Sequence, residues 1–395
     1  MTTEKKVIIC DDEEGQRQSW AEALNRVADF SSKFDVAVVT SKEIKDALAV
    51  LRRRRMAARE GQQTENGATF FDSCSILIVD YDLFEIDETG EEVAYLARCF
   101  SRCGVVVGVN QFVREGFTFD LTLRGHPESF ADLNLLAEQL WSPGLWSTPW
   151  EGIRPWYWPL LPAAEIALER RVQELEGNLD EKILDFLAIP SEVIEILPLD
   201  ALEFISSKGV TSKDATFRSF VLDSGNCLRG RREGAASEEA IARIAAARLA
   251  KWMERIVLPG QNILIDAAHL LERFPSLFRG GPADQLIGWQ NTHELLAPGP
   301  TVMDVDTLGP FRLVKDAWLS RTAWYWPRVS ECEQIAEVVN PWNPRFEVVF
   351  CEDTSTFARP DEGPSEFIAK VDSPFVRRFV SKRDGRYGPQ LQFAI

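Results

Sequence analysis

Histidine is scarce in this chain, with three residues, and positive charge is in deficit: 44 Lys and Arg stand against 61 Asp and Glu, a net charge of −17. So few imidazoles leave little to build a structural zinc centre, which draws on Cys and His. A negative surface repels phosphate backbones and anionic headgroups, which disfavours DNA and membrane surfaces as partners. The acidity is not a tail. Up to Trp141 there are 16 basic and 25 acidic residues, or −9, which leaves −8 for the remainder. No apolar run approaches the roughly 20 residues of a membrane span, and the opening MTTEKKVIICDDEE lacks a signal-peptide core. The seven cysteines are an odd number, and their one close pair, Cys99 and Cys103, has no second pair to complete a metal site. A reduced, cytoplasmic protein with no membrane segment is expected. There is no GxGxxG motif, P-loop, basic recognition helix or internal repeat.

The 395 residues suggest two or three domains. The N-terminal part alternates in character. Val7–Cys10, Phe34–Val39, Ser75–Val79 and Gly104–Val109 are short apolar runs, each expected to form a buried strand. A fifth strand is expected at Phe119–Leu123 and a closing helix at Pro127–Leu140. Helical spacing follows the first run through Trp20, Leu24 and Val27, and Ser41 looks like the N-cap of a helix through Leu48 and Leu51. The basic run Arg52–Arg55 extends that helix as a solvated face. A helix at Glu91–Phe100 precedes the fourth strand. Strands alternating with helices imply a doubly wound, five-stranded parallel sheet, and an α/β fold.

Acidic residues sit where such strands end. Asp11-Asp12-Glu13 follows the first strand, Asp80-Tyr81-Asp82-Leu83 follows the third, and Thr89-Gly90-Glu91-Glu92-Val93 opens the next helix. Open α/β sheets bind ligands at the carboxyl ends of their strands. Clustered carboxylates raise one another's pKa unless a cation lies among them, and Mg²⁺ suits an all-oxygen site.

Over about residues 5–141 this pattern resembles the receiver (CheY-like) domain of two-component response regulators. The resemblance implies a flavodoxin-like strand order and Mg²⁺ held by Asp11, Asp12, Asp80 and the backbone carbonyl of Asp82. It also implies Asp80 as the nucleophile that accepts a phosphoryl group, and a histidine kinase or phosphotransfer protein as partner. The chain departs from the family at two positions. Asn110 stands where a Thr or Ser ends the fourth strand, and Arg124 stands nearest the Lys that ends the fifth. Arg keeps the charge but is not a Lys equivalent. Two alternatives therefore stay open: a pseudo-receiver adaptor without phosphorylation, and an effector enzyme whose site lies in the C-terminal domain.

The expected organisation is a receiver-like domain at 1–141, a Trp/Pro-rich connector at 142–162 and an α+β output domain at 163–395, with helical (163–300) and strand-rich (301–395) parts. The connector's indoles are expected to pack against the domains. Helices are expected at 163–175, 181–186, 191–197, 200–206, 237–257 and 263–274, and strands at 217–222, 311–314, 345–351, 366–371 and 391–394. Cys227 with His269 or His293 could form a thiol and base, though a buried Cys and unrelated His residues are the plainer reading. Glu347, Glu352 and Asp353 with Lys370 imitate a metal-dependent nuclease strand pair, against edge-strand solvation. Arg229, Arg231 and Arg232 could hold a phosphate-bearing ligand, against a solvated loop. The output domain is expected to avoid DNA and act through a protein partner, with homodimerisation open.

Overall fold

Five strands build the N-terminal sheet: β1 (Lys5–Cys10), β2 (Phe34–Val38), β3 (Ile76–Asp80), β4 (Val105–Asn110) and β5 (Leu133–Leu136). In the computed structural model they lie in the order β2-β1-β3-β4-β5, and every pairing is parallel. The structure describes residues 5–27, 30–62, 68–110, 129–137, 140, 141, 143–146, 161–207, 209–223, 236–274, 277, 287, 306–313, 318, 319, 322–332, 347–351, 356–361, 365–367 and 378–380.

All five residues of β3 are buried, as a strand covered on both faces requires. Three helices connect the first four strands: α1 (Glu14–Asn25), α2 (Ser41–Glu60) and α3 (Gly90–Phe100). Parallel strands with right-handed crossovers put α1 on one face of this order and α2 with α3 on the other. Accordingly α1 packs on β1 and β2, while α2 packs on α3. The N-cap of α2 is Thr40, one residue before the expected Ser41. Its Oγ1 accepts from the Glu43 N–H at 3.2 Å, and the Glu43 carboxylate accepts from the Thr40 N–H at 2.8 Å. This reciprocal box uses two orphan donors at once, which Ser41 could not do. The basic run continues the helix to Glu60, and Gly61 ends it with φ +73°. Arg54 leaves the solvated face to grip Asp72 with two bonds of 2.8 Å.

The fifth strand differs from the sequence expectation. Leu133–Leu136 lies within the stretch expected to be a closing helix, and it pairs alongside β4 with Val107 opposite Leu133 and Asn110 opposite Leu136. Leu133, Leu136 and Leu140 share a helical spacing, but Leu133 and Leu135 also share a strand face. The open edge of β4 decides between the two periods, because pairing there satisfies a row of backbone groups. The stretch expected to be the fifth strand, Phe119–Leu123, lies outside the described residues, as does Arg124.

Beyond the sheet, Trp146 is buried against Phe30 and Phe34, with ring centroids 4.7 and 5.5 Å away, and its indole N–H donates to the Leu140 carbonyl at 2.7 Å. This tryptophan packs as expected of the connector. Residues 147–160 are outside the description. Helix α4 (Leu161–Leu175) packs against β4 and against a later helix, Glu238–Trp252. Helical turns at Ile183–Phe186, Ser191–Ile196 and Leu199–Glu203 follow, near their expected places. Phe217–Asp223, expected as a strand, is helix α5: Thr216 and Ser219 exchange backbone-to-hydroxyl bonds of 2.9 and 3.1 Å at its start. Helix α6 (Glu238–Trp252) starts at Ser237, whose hydroxyl accepts from the Ala240 N–H, and it runs on in a wider turn to Val257. The expected helix at 263–274 divides into strand β6 (Leu264–Asp266) and helix α7 (Ala267–Arg273), because Asp266 caps the helix through the His269 N–H at 3.1 Å. Strand β6 pairs with β7 (Ala323–Tyr325).

Of the expected strand at 311–314, Phe311 ends a short helical turn, Asp306–Phe311, while Arg312 forms an antiparallel bridge with Trp324 of β7 and the Leu313 N–H donates to the Ala323 carbonyl at 2.9 Å; residue 314 lies outside the described residues. Within the two longer expected strands, the described pieces are β8 (Val349–Cys351) and β10 (Ser365–Phe367); β9 (Thr356–Ala358) and β11 (Arg378–Val380) complete a four-stranded sheet ordered β9-β8-β11-β10. The expected strand at 391–394 lies outside the description. Among the described residues, no helix is long and apolar enough to cross a membrane.

Candidate functional site

The register of the parallel sheet brings the acidic residues to one edge. Cys10 on β1 pairs with Val79 on β3, so the next residues on those two neighbouring strands are Asp11 and Asp80. Asp80 itself closes β3, opposite Val109 of β4. Asp11, Asp12 and Asp80 are 0, 5 and 1 % exposed. Asn110 is the last residue of β4, as the sequence indicated. Asp82 is exposed, and its backbone lies in a two-residue ribbon with Leu83 that pairs with Glu88 and Thr89. The strand that closes the sheet ends at Leu136, beyond Arg124 in the chain.

The turn after β1 is held from below. Arg17, one turn into α1 and buried, sends its Nη1 back to the Asp11 carbonyl at 2.5 Å and to the Ser41 hydroxyl at 3.2 Å. Ser41 in turn donates to the Asp12 carbonyl at 3.0 Å. The side chains are tied as well. Asp11 Oδ1 accepts from the Glu13 N–H at 2.8 Å, and Asp12 Oδ2 accepts from the Glu85 N–H. Asp11 Oδ2 is buried and has no hydrogen-bond partner among the described residues. A buried carboxylate oxygen left so is costly, and the proton affinity reflects it. Burial pushes the Asp11 carboxyl up to about 6, against the pull of the Glu13 N–H; the Asp12 and Glu13 charges add to the rise, and Arg17 opposes it.

A raised carboxyl pKa has a defined sign in stability. The folded state binds the Asp11 proton more tightly than the unfolded chain, so the stabilisation is full below about pH 4 and is lost as pH rises through about 6. Asp11→Asn should therefore raise the melting temperature of the metal-free protein more at pH 7.5 than at pH 4. Thermal scans at the two pH values check this; an equal gain at both would mean that Asp11 titrates normally.

Two glycines allow the chain to close around Asp80. A Cβ at Gly90 would lie 2.1 Å from the Asp80 carbonyl oxygen, and one at Gly108 would lie 2.5 Å from the Tyr81 ring. The Tyr81 ring therefore occupies the space a side chain at 108 would need. Its hydroxyl accepts a bond from the Asn134 amide and lies 3.5 Å from the Ser129 hydroxyl. Burial, and then the Glu91 charge, raise the Tyr81 phenol above its usual range. The sequence reading quoted Tyr81 only as a motif letter, and it passed over Arg17, Ser129 and Asn134. The one signal for Asn134 is a lone polar residue inside an apolar strand.

Does this edge fit Mg²⁺? Among the described residues, no three His, Cys, Asp or Glu side chains are grouped to hold a metal ion. Mg²⁺ does not need such a cage: it keeps several waters and takes one or two carboxylates plus a phosphate oxygen. Asp11 and Asp80, buried on adjacent strands, meet that smaller requirement in kind, and Asp11 Oδ2 is an oxygen in need of a partner. Asp12 has one oxygen already engaged by Glu85.

The other candidates separate less well. His269 is buried, with its Nδ1 2.8 Å from Asp266 Oδ1 and its ring edge against Phe350. Cys227, His293, Glu352, Asp353, Lys370, Arg229, Arg231 and Arg232 lie outside the described residues, and Glu347 is exposed. The buried Glu272 accepts from the Phe350 N–H at 3.0 Å. Compared with protein-family models, curated proteins and solved structures, the chain matches none.

Proposed function

We propose that the N-terminal sheet is a receiver-like signalling module in which Asp80 accepts a phosphoryl group with the help of Mg²⁺. One observation carries this reading: Asp80 closes the central strand of a sheet ordered β2-β1-β3-β4-β5, and Asp11, the residue that follows β1, continues the register to the same level. That order is the flavodoxin-like one, and its ligands bind where strands one and three adjoin. Asp11 and Asp80 would hold the ion, with the Asp82 carbonyl and the second oxygen of Asp12 available to it. The bound ion would offset the repulsion among the carboxylates and the charge of an incoming phosphoryl group. The chain's own residues supply the rest: β3 fixes the nucleophile, and Arg17 and Ser41 hold the metal-binding turn. Asn110, the last residue of β4, stands where the resemblance would place a hydroxyl residue. A histidine kinase or phosphotransfer protein is the donor on this reading. The C-terminal helices and four-stranded mixed sheet form an α+β output region that acts through a protein partner rather than DNA, in keeping with the net charge.

Incubation with Mg²⁺ and acetyl phosphate tests it by intact mass. Wild type should gain the mass of one phosphoryl group, and Asp80→Asn should gain none. An unmodified wild type with small donors and kinases alike overturns the reading.

A second reading, a pseudo-receiver adaptor, is favoured by the internal bonds that already engage Asp11 and Asp12. Calorimetric titration with Mg²⁺ separates the two, since an adaptor with a vestigial pocket would bind no ion.

A further inference from the structure

The segment Ser129–Asp132, which leads into β5, touches two different parts of the molecule through two different sets of atoms. The Ser129 hydroxyl and the Phe130 N–H face the Asp80 edge. Ser129 Oγ donates to Glu91 Oε2 at 2.7 Å, and the Phe130 N–H donates to Glu91 Oε1 at 2.6 Å. The same hydroxyl meets the Tyr81 phenol, and Tyr81 is joined to Asp80 by one peptide bond. Glu91 sits at the start of α3, beside Gly90, whose N–H donates to the Tyr81 carbonyl at 3.0 Å.

The carbonyls of the segment face helix α6 instead. Arg248 Nη1 donates to the Ser129 carbonyl at 2.6 Å, and Lys251 Nζ donates to the Ser129 and Ala131 carbonyls at 3.2 and 2.6 Å. The Arg248 guanidinium also lies 4.3 Å above the Phe130 ring. Both side chains are buried. A buried donor that loses its acceptors is costly to leave unpaired, so helix and segment can separate only together.

No slack exists on the other side. Gly90 and Gly108 are packed so closely on Asp80 and Tyr81 that a methyl group at either would collide. Close-packed interiors pass on a shift instead of absorbing it. We propose that Tyr81 and the Ser129–Ala131 segment couple the acidic edge of the sheet to helix α6, so that a change at Asp80 alters how firmly α6 is held. The coupling does not depend on phosphorylation; any ligand or charge that moves Asp80 works through it.

Hydrogen exchange on the full chain tests this without a ligand. Tyr81→Phe keeps the ring over Gly108 and deletes only the hydroxyl, which touches no residue of α6. The variant should raise the exchange rate of amides in 238–252 about threefold, the effect of losing one modest hydrogen bond, and leave those of α1 unchanged. Unchanged exchange in 238–252 overturns the proposal. So does an equal rise in α1, since that reports opening of the whole fold. Reciprocity requires that Lys251→Met loosen α3 and β5, and that the double variant exchange no faster in 238–252 than Lys251→Met alone. Multiplicative effects would show two independent sites.

Discussion

Asp132→Ala is expected to destabilise the sheet by about 3–5 kcal/mol, the cost of stranding a buried charge, and to do so more than Arg98→Met. The two residues form an ion pair, but their surroundings differ. The Arg98 side chain is 0 % exposed and that of Asp132 is 21 % exposed. Arg98 also donates to the Cys103 and Gly104 carbonyls, at 3.1 and 2.7 Å, and Asp132 Oδ2 also accepts from the Val106 N–H at 2.7 Å. Removing Asp132 leaves a guanidinium inside the protein without a counter-charge, and leaves the Val106 N–H of β4 short of an acceptor. Removing Arg98 leaves a carboxylate that water already reaches and that keeps its backbone donor. Urea midpoints at unchanged m-value measure both losses. The reverse order would show that Arg98, not Asp132, is the group reached by solvent.

Gly90→Ala is expected to cost about 3 kcal/mol, at the upper end of overpacking effects, and to disturb the acidic edge as well. The added methyl carbon would lie 2.1 Å from the Asp80 carbonyl oxygen, 2.7 Å from Tyr81 Cα and 2.8 Å from the Asp80 carbonyl carbon. All three are backbone atoms, so no side chain can swing aside to relieve the clash. Either the start of α3 retreats or β3 does, and the bond from the Gly90 N–H to the Tyr81 carbonyl lengthens. The variant should lower the urea midpoint and reduce any phosphoadduct at Asp80, whereas Gly15→Ala, with open space around it, should leave both unchanged. A Gly90→Ala protein of wild-type stability would rule out the close approach.

The positions of Asp11, Asp12 and Asp80 were legible because their signal is local. A buried strand reads as an unbroken apolar run, and the residue after it is at the sheet's edge whatever the rest of the fold does. The first four strands and the helices between them follow from the same kind of signal. The fifth strand was not legible in this way. Leu-Asn-Leu-Leu satisfies a helical and an extended period equally, and only the vacant edge of β4 selects pairing. The helical state of Phe217–Asp223 was hidden for a related reason. A seven-residue stretch with four apolar residues is too short to carry a length signal, and the decision came from the hydroxyls of Thr216 and Ser219 at its start.

The sequence by itself determined an acidic chain with an α/β N-terminal part and carboxylates at the ends of its first and third strands. Composition and strand periodicity are properties of neighbours in the chain, so they survive without a structure. Tertiary structure decided which strand closes the sheet, that Arg17 and Ser41 brace the turn after β1, and that Arg248 and Lys251 reach across from α6 to Ser129 and Ala131. Those contacts join residues about 120 positions apart. Burial of the two side chains gives the contacts their strength, and no local pattern around either residue records it.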